Sequence, residues 1–362
     1  MSTLSISKLT GLEQRGRRYA ASRNGRSQVS VDLHCHVLTP EVESIVGDHP
    51  QKAAERAMAI ESLGAESCAH NACMMADLMP RLTSTDARLK DMDRMGIDVQ
   101  ALSPSPTQYY YWADREMSGT IVDLQNDQIS AMCASDPRRF VGIGAVSLQY
   151  PDLAVAQLDD CVKRRGFRGV EVSSTVNGRE IADPEFFAFW RKAEELGVIV
   201  FLHPFGTSLG RRLNRYYLAN LVGIPLETTI ALSHLIFGGV LDQYPGLKIL
   251  AAHGGGFLGS YWGRSQHAWK VRPECQNVRR SPHEYLKKIF FDSVVFTSDE
   301  LQHIVRSVGV SQLVIGTDYP FDMGNLDPLE LIESVQELSE EDKAAIVGGN
   351  ASELLGIHET TA

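Results

Sequence analysis

Five side chains able to bind a metal or move a proton stand at the ends of apolar, strand-like runs in this 362-residue chain. They are His34 and His36 in VSVDLHCH, His203 in VIVFLHP, His253 in LKILAAHGGG and Asp318 in QLVIGTDYPF. Imidazole nitrogens and a carboxylate are donors that zinc and similar divalent cations take. His34 and His36 are two apart, so on a strand they point the same way, while Cys35 turns into the wall. Pro204 stops the strand after His203. Asp318 completes the shell as a carboxylate ligand or accepts a proton from bound water; buried and unpaired it would be costly. Gly254 to Gly256 allow backbone to approach a ligand and free the His253 imidazole to face a cavity. With His34, His36, His203 and Asp318 as metal ligands, His253 is assigned to proton transfer or substrate polarisation. One position must then stay open for water or substrate. The expected cofactor is one divalent metal per chain, Zn2+ with Mn2+ as the alternative, and no organic cofactor.

Other residues complete the candidate site. Asp292 ends the KIFFDS run, where it can support a metal ligand from behind. Glu171 ends RGVEV, where a ligand bridging two metals would sit. Arg211, Arg212 and Arg215 follow His203, and Arg264 and Arg272 follow His253. An Arg fork grips a carboxylate through two charge-assisted hydrogen bonds. Tyr109, Tyr110, Tyr111 and Trp112 offer flat surfaces to a conjugated substrate, or else pack a loop. Cys68, His70 and Cys73 have the look of half a zinc site without its second half, and are read as buried thiols beside Met74 and Met75.

The elements that must position these residues are strands buried on both faces, begun near Val29, Ile97, Phe140, Arg168, Val198, Leu247, Lys288 and Gln312. Helical patterns lie between them. Leu153, Leu158, Cys161 and Val162 repeat at helical spacing. Asp183 and Pro184 open a helix that Gly197 closes. Thr297 and Glu300 have capping-box spacing ahead of Leu301, Ile304 and Val308. Eight alternations predict an α/β fold, a (β/α)8 TIM barrel whose strand tips converge on one mouth. Residues 39–89 form a helical insertion between strands 1 and 2, read as covering that mouth. Residues 206–239 are a second, mostly helical excursion. Residues 1–28 are read as a flexible N-terminal extension and 29–362 as a single barrel domain.

Composition bounds the partners. A net charge of −10 argues against nucleic acid and anionic membranes. No apolar run is read as approaching the length of a membrane-spanning helix. Six scattered cysteines do not suggest a disulfide framework, and a cytoplasmic setting is expected.

The motifs VDLHCH, MDRMGIDVQ, FLHPF, LKILAAHGGGFLGSYWGR, KIFFDSVVF, VIGTDYPF and GNAS, in this order, resemble the metal-dependent decarboxylase branch of the amidohydrolase superfamily. The likeness runs from about Val29 onward. It implies a zinc barrel with ligands at His34, His36, His203 and Asp318, His253 assisting a water acidified by the cation, and a homodimer. It also implies that Arg264 and Arg272 contact the carboxylate of a small anionic substrate across the dimer interface. Some related barrels bridge two metals through a carboxylated Lys; none stands near Glu171, which favours one metal. The branch has a further substrate-binding Arg upstream of the second strand, where this chain has Ala76, with Arg81 offset by several residues. Branches acting on hydroxybenzoates often replace the first His of H-x-H by Glu; here both histidines stand. The expected activity is that of a zinc-dependent carboxy-lyase, a decarboxylase of a small conjugated or aromatic carboxylate. The alternative is a hydrolase of a ring-fission product, lactone or amide.

Overall fold

The computed structural model describes residues 29–357; the extension 1–28 and His358 lie outside them. A parallel sheet of seven strands follows chain order: β1 (Val31–Val37), β2 (Val99–Pro104), β3 (Phe140–Gly144), β4 (Gly169–Val172), β5 (Ile199–Leu202), β6 (Lys248–Ala251) and β7 (Phe290–Phe291). The eighth run forms no ladder. Instead single bridges join Leu313 to Phe291, Ile315 to Asp32 and Tyr319 to Cys35, so segment 313–319 lies between the last strand and the first. The left-handed backbone of Asp318 (φ 55°) interrupts its extended conformation.

Helices connect the strands. Between β1 and β2 lie α1 (Pro40–Val46), α2 (Pro50–Leu63), α3 (Ala65–Thr83) and α4 (Thr85–Met95). Then come α5 (Arg115–Ser135), α6 (Pro151–Lys163), α7 (Phe187–Leu196), α8 (Ile224–Phe237), α9 (Leu258–Val271) and α10 (Ser298–Val308). The α10 cap forms as its residue types require: the Thr297 hydroxyl accepts the Glu300 N–H at 3.2 Å and bonds the Glu300 carboxylate at 2.9 Å. Gly197 ends α7 in the left-handed region at φ 64°.

One expectation is corrected. The helical stretch Ala219–Phe237, with mean hydropathy 1.3, is long and apolar enough to cross a membrane by length and composition. Here Ala231, Leu232, Leu235 and Ile236 are buried in the core between sheet and helices.

Two apolar layers flank the strands. Val31, Leu33, Val99, Ala101, Ile143, Ile199, Phe201 and Leu250 form one cluster. Cys35, Leu102, Val170, Val200, Leu202 and Ile249 join the other, with Leu158, Trp190 and Leu232 from the helices. Strand β1 changes sides between them. Its register against β2 shifts between Asp32 and Cys35. Before the shift Val31 and Leu33 face the interior; after it Cys35 and Val37 face the helices. A bulge reverses the alternation, so Asp32 is turned toward the helices while His34 and His36 are turned inward.

Candidate metal centre

The strand tips bring the five separate residues to one place. The His34 and His36 Nε2 atoms lie 3.2 Å apart, and each is 3.3 Å from Asp318 Oδ1. Ligand atoms held tetrahedrally at about 2.0 to 2.2 Å from a zinc-like ion sit roughly 3.3 to 3.6 Å apart. The triangle has that size. Ligand atoms of His34, His203, His253 and Asp318 also lie within 4.8 Å of one another.

The imidazoles are oriented by what holds their other nitrogens. His34 Nδ1 is 2.6 Å from Asp292 Oδ2, and His36 Nδ1 is 3.1 Å from the Pro104 carbonyl. Each Nδ1 therefore carries a proton, and each Nε2 is turned to the shared space, where a bound cation would take its lone pair. His203 differs: it is buried, and neither ring nitrogen has a hydrogen-bond partner. Burial, then the His36, His253 and His34 charges, hold its pKa well below the usual range. A neutral, buried, orphaned imidazole beside two inward-turned Nε2 atoms and a carboxylate is what a cation would satisfy. The residues fit a divalent metal.

The acidic groups fit it too. Burial alone would raise Asp318, yet the His34 charge and hydrogen bonds from His253 and His34 pull it well below the usual carboxylate range. Asp292, also buried, accepts the His253 N–H at 2.9 Å and the Gly254 N–H at 2.8 Å besides binding His34. It thus anchors a ligand candidate and the glycine turn together. His253 itself is left-handed at φ 55°, and its Nε2 is 3.6 Å from the second Asp318 oxygen, Oδ2. Two of the five site residues, His253 and Asp318, thus adopt a backbone conformation uncommon outside glycine. Room for the cluster comes from glycine. A Cβ on Gly316 would lie 2.6 Å from Asp292 Cβ and 2.8 Å from His34 Cβ.

Several expected contacts are placed elsewhere. Tyr110 is buried with Val42 and Val46 of α1, its hydroxyl on Glu43, and Trp112 stacks on His49 at 4.7 Å. Their apolar faces are taken up by α1 and α5 packing, so neither faces the metal residues. Tyr109 does: its hydroxyl donates to Glu171 Oε1 at 2.6 Å and lies 3.0 Å from the His203 carbonyl. Glu171 is buried, its Oε2 is without a partner and 3.7 Å from His36 Nδ1, and burial raises its pKa. Arg212, Arg264 and Arg272 are exposed, and Arg272 pairs with Glu274. Arg81 is engaged by Asp91 at 2.8 Å. Cys68 is half-buried and Cys73 exposed, so these are not the core thiols expected, and His70 faces Asp322 across 3.6 Å.

The amidohydrolase family model matches residues 31–357. The chain belongs to this family. Its decarboxylase branch is shown by a 2-amino-3-carboxymuconate-6-semialdehyde decarboxylase from Dictyostelium discoideum, 34% identical over 91% of this chain and 92% of that protein. A gamma-resorcylate decarboxylase from Rhodococcus jostii is 30% identical over 74% and 86% of the two chains. Among solved structures, a dihydroxybenzoic acid decarboxylase from Polaromonas with bound manganese and 2-nitroresorcinol superposes with TM-score 0.75 at 25% identity. That match covers 91% of this chain and 97% of the other.

Proposed function

We propose that this chain is a metal-dependent, non-oxidative decarboxylase of a small conjugated or aromatic carboxylate. The observation that carries the reading is the His34–His36–Asp318 triangle beside the unpartnered His203, in a chain whose relatives are decarboxylases. We assign His34, His36, His203 and Asp318 to one ion, Zn2+ or Mn2+. The triangle's dimensions support His36 over His253 as the fourth ligand. The bridges of segment 313–319 favour reading the fold as a closed (β/α)8 barrel, with α1 to α4 as its insertion.

A divalent cation supplies Lewis acidity, drawing electron density from a bound carboxylate or a neighbouring oxygen. The remaining work falls to side chains. As the bond to the carboxylate breaks, its electron pair stays on the substrate carbon and carbon dioxide leaves. That carbon must receive a proton. His253, poised by Asp292 at its own N–H and 3.6 Å from Asp318 Oδ2, is our candidate to deliver it. Tyr109 and Glu171 buttress His203 and His36 from the wall.

Arg264 and Arg272 sit on or just beyond α9, beside the exposed Tyr261 and Val271. Their exposure suits contacts made across a homodimer interface to a partner's substrate carboxylate, with Arg212 a candidate on the chain's own loop. A hydrolase acting on ring-fission products is the competing class. Product analysis in 18O-labelled water separates the two. Decarboxylation yields carbon dioxide and a product that has exchanged a carboxylate for hydrogen. Label incorporated into a newly formed carboxyl group, with no carbon dioxide, would overturn the reading.

A further inference from the structure

We propose that Asp32, backed by Gln100 and Arg88, is a positioning residue that sets the spacing of the metal-binding side chains from outside the site; the proposal rests on the metal-centre reading above. Asp32 is fully buried and, after the bulge reverses β1, stands on the opposite side of the strand from His34. It is not among the clustered ligand candidates. Its contacts nonetheless reach both segments that carry ligands. Oδ1 accepts the His34 N–H at 3.1 Å and the Thr317 N–H at 3.1 Å. Oδ2 accepts the Thr317 hydroxyl at 2.6 Å and the Gln100 amide at 2.9 Å. One carboxylate thus grips the backbone of His34 and the residue preceding Asp318.

This grip lies where ordinary sheet pairing gives out. Segment 313–319 makes only isolated bridges, so the distance between His34 and Asp318 is not set by a continuous ladder. Backbone bonds from Leu33 N–H to Ile315, from Thr317 and Asp318 N–H to the His34 carbonyl and from His36 N–H to Tyr319 stand there, and the Asp32 contacts reinforce them at its middle. The clamp is braced from α4. Arg88, fully buried, donates to Gln100 Oε1 at 3.0 Å and to the carbonyl of His36, and stacks over Tyr319 at 4.7 Å. Gln100 therefore links a buried cation to a buried anion, and the same guanidinium pins the strand at His36. Four hydrogen bonds accepted by the Asp32 carboxylate, with the Arg88 bonds behind Gln100 and His36, fix one arrangement, because any shift leaves a buried polar group without its partner.

The test is a metal titration, with Zn2+ and Co2+ as probes and a competing chelator. Asp32→Asn keeps the shape but puts an amide where one oxygen accepted two donors. Below its melting temperature the folded variant should bind Zn2+ about 10- to 100-fold more weakly than the parent, as losses behind metal ligands do. Its Co2+ form should show an altered visible spectrum. Thr317→Val, which removes one bond from the same carboxylate, should shift affinity in the same direction by less. If Asp32→Asn does not fold, Thr317→Val decides alone. A lowered melting temperature with unchanged Zn2+ affinity and Co2+ spectrum would mean that Asp32 only stabilises the fold, and the proposal fails. A parent chain that binds no divalent metal would instead overturn the metal-centre reading itself.

Discussion

Asp292 Oδ2 and His34 Nδ1 meet at 2.6 Å, both fully buried, and the same oxygen accepts the backbone N–H of His253 at 2.9 Å. One carboxylate just past β7 therefore fixes the tautomer of a ligand candidate on β1 and the approach of the candidate proton donor after β6. The division of labour rests on this. His34 presents Nε2 to the shared space because Nδ1 is committed, and His253 stands off Asp318 Oδ2 because its backbone is held elsewhere.

Replacing His253 by Ala should leave metal content at the parent level and lower turnover by about 10²- to 10⁴-fold, the range for a positioned acid–base group. Elemental analysis and steady-state rates on one preparation check it. Loss of metal in this variant would move His253 into the ligand set and His36 out of it.

The metal-free protein should respond to pH through His34. Burial lowers its pKa, but the Asp318 charge and the Asp292 hydrogen bond outweigh this and push it up to about 10 from an ordinary 6.5. A raised imidazole pKa adds stability that is fully present below pH 6.5 and is lost as pH rises through about 10. Thermal melts of the stripped protein should therefore fall across that window. A cation must displace the same proton, so metal affinity should strengthen by about tenfold per pH unit between roughly pH 7 and 9. Affinity flat in pH would contradict this.

Much of this was legible in the sequence, and the reasons differ by residue. Val29, Ile97, Phe140, Arg168, Val198, Leu247 and Lys288 each mark a run that holds a strand, because fully buried parallel strands are apolar without alternation. The run after Gln312 reads the same way yet forms only bridges. Composition does not reveal that a left-handed Asp318 interrupts it. The five site residues were legible from their place at strand ends. The aromatic contacts were not: four successive aromatic residues give no sign that Tyr110 and Trp112 turn to α1 while Tyr109 turns to Glu171. Asp32 was hidden by the bulge, since simple alternation puts it on the same face as His34.

Gly316→Ala should destabilise the fold by crowding the His34–Asp292 pair from behind. The added methyl would meet Asp292 Cβ at 2.6 Å and His34 Cβ at 2.8 Å. Overpacking of this kind costs about 1 to 3 kcal/mol, so the melting temperature should fall and the His34–Asp292 pair should spread. A melt indistinguishable from the parent would show that the strand shifts freely to admit the methyl.

Arg272 should act on a partner's substrate and not on its own metal. Arg272→Ala chains should bind metal normally and turn over poorly, and His34→Ala chains should lack a competent metal site. Mixed, the two should recover part of the parent activity through hybrid dimers holding one intact site and one donated Arg. No recovery despite demonstrated subunit exchange would assign Arg272 to its own chain or to no role.

The central claim is tested most directly by stepwise reloading. Stripped protein is titrated with Zn2+ or Mn2+, and carbon dioxide release is followed against metal bound per chain. The substrates are small aromatic and conjugated carboxylates, 2,6-dihydroxybenzoate among them. Release should rise in proportion and level off at one metal per chain, with His203→Ala protein giving none. Release that survives stripping, or that levels only at two metals per chain, would contradict a single catalytic cation held by His34, His36, His203 and Asp318.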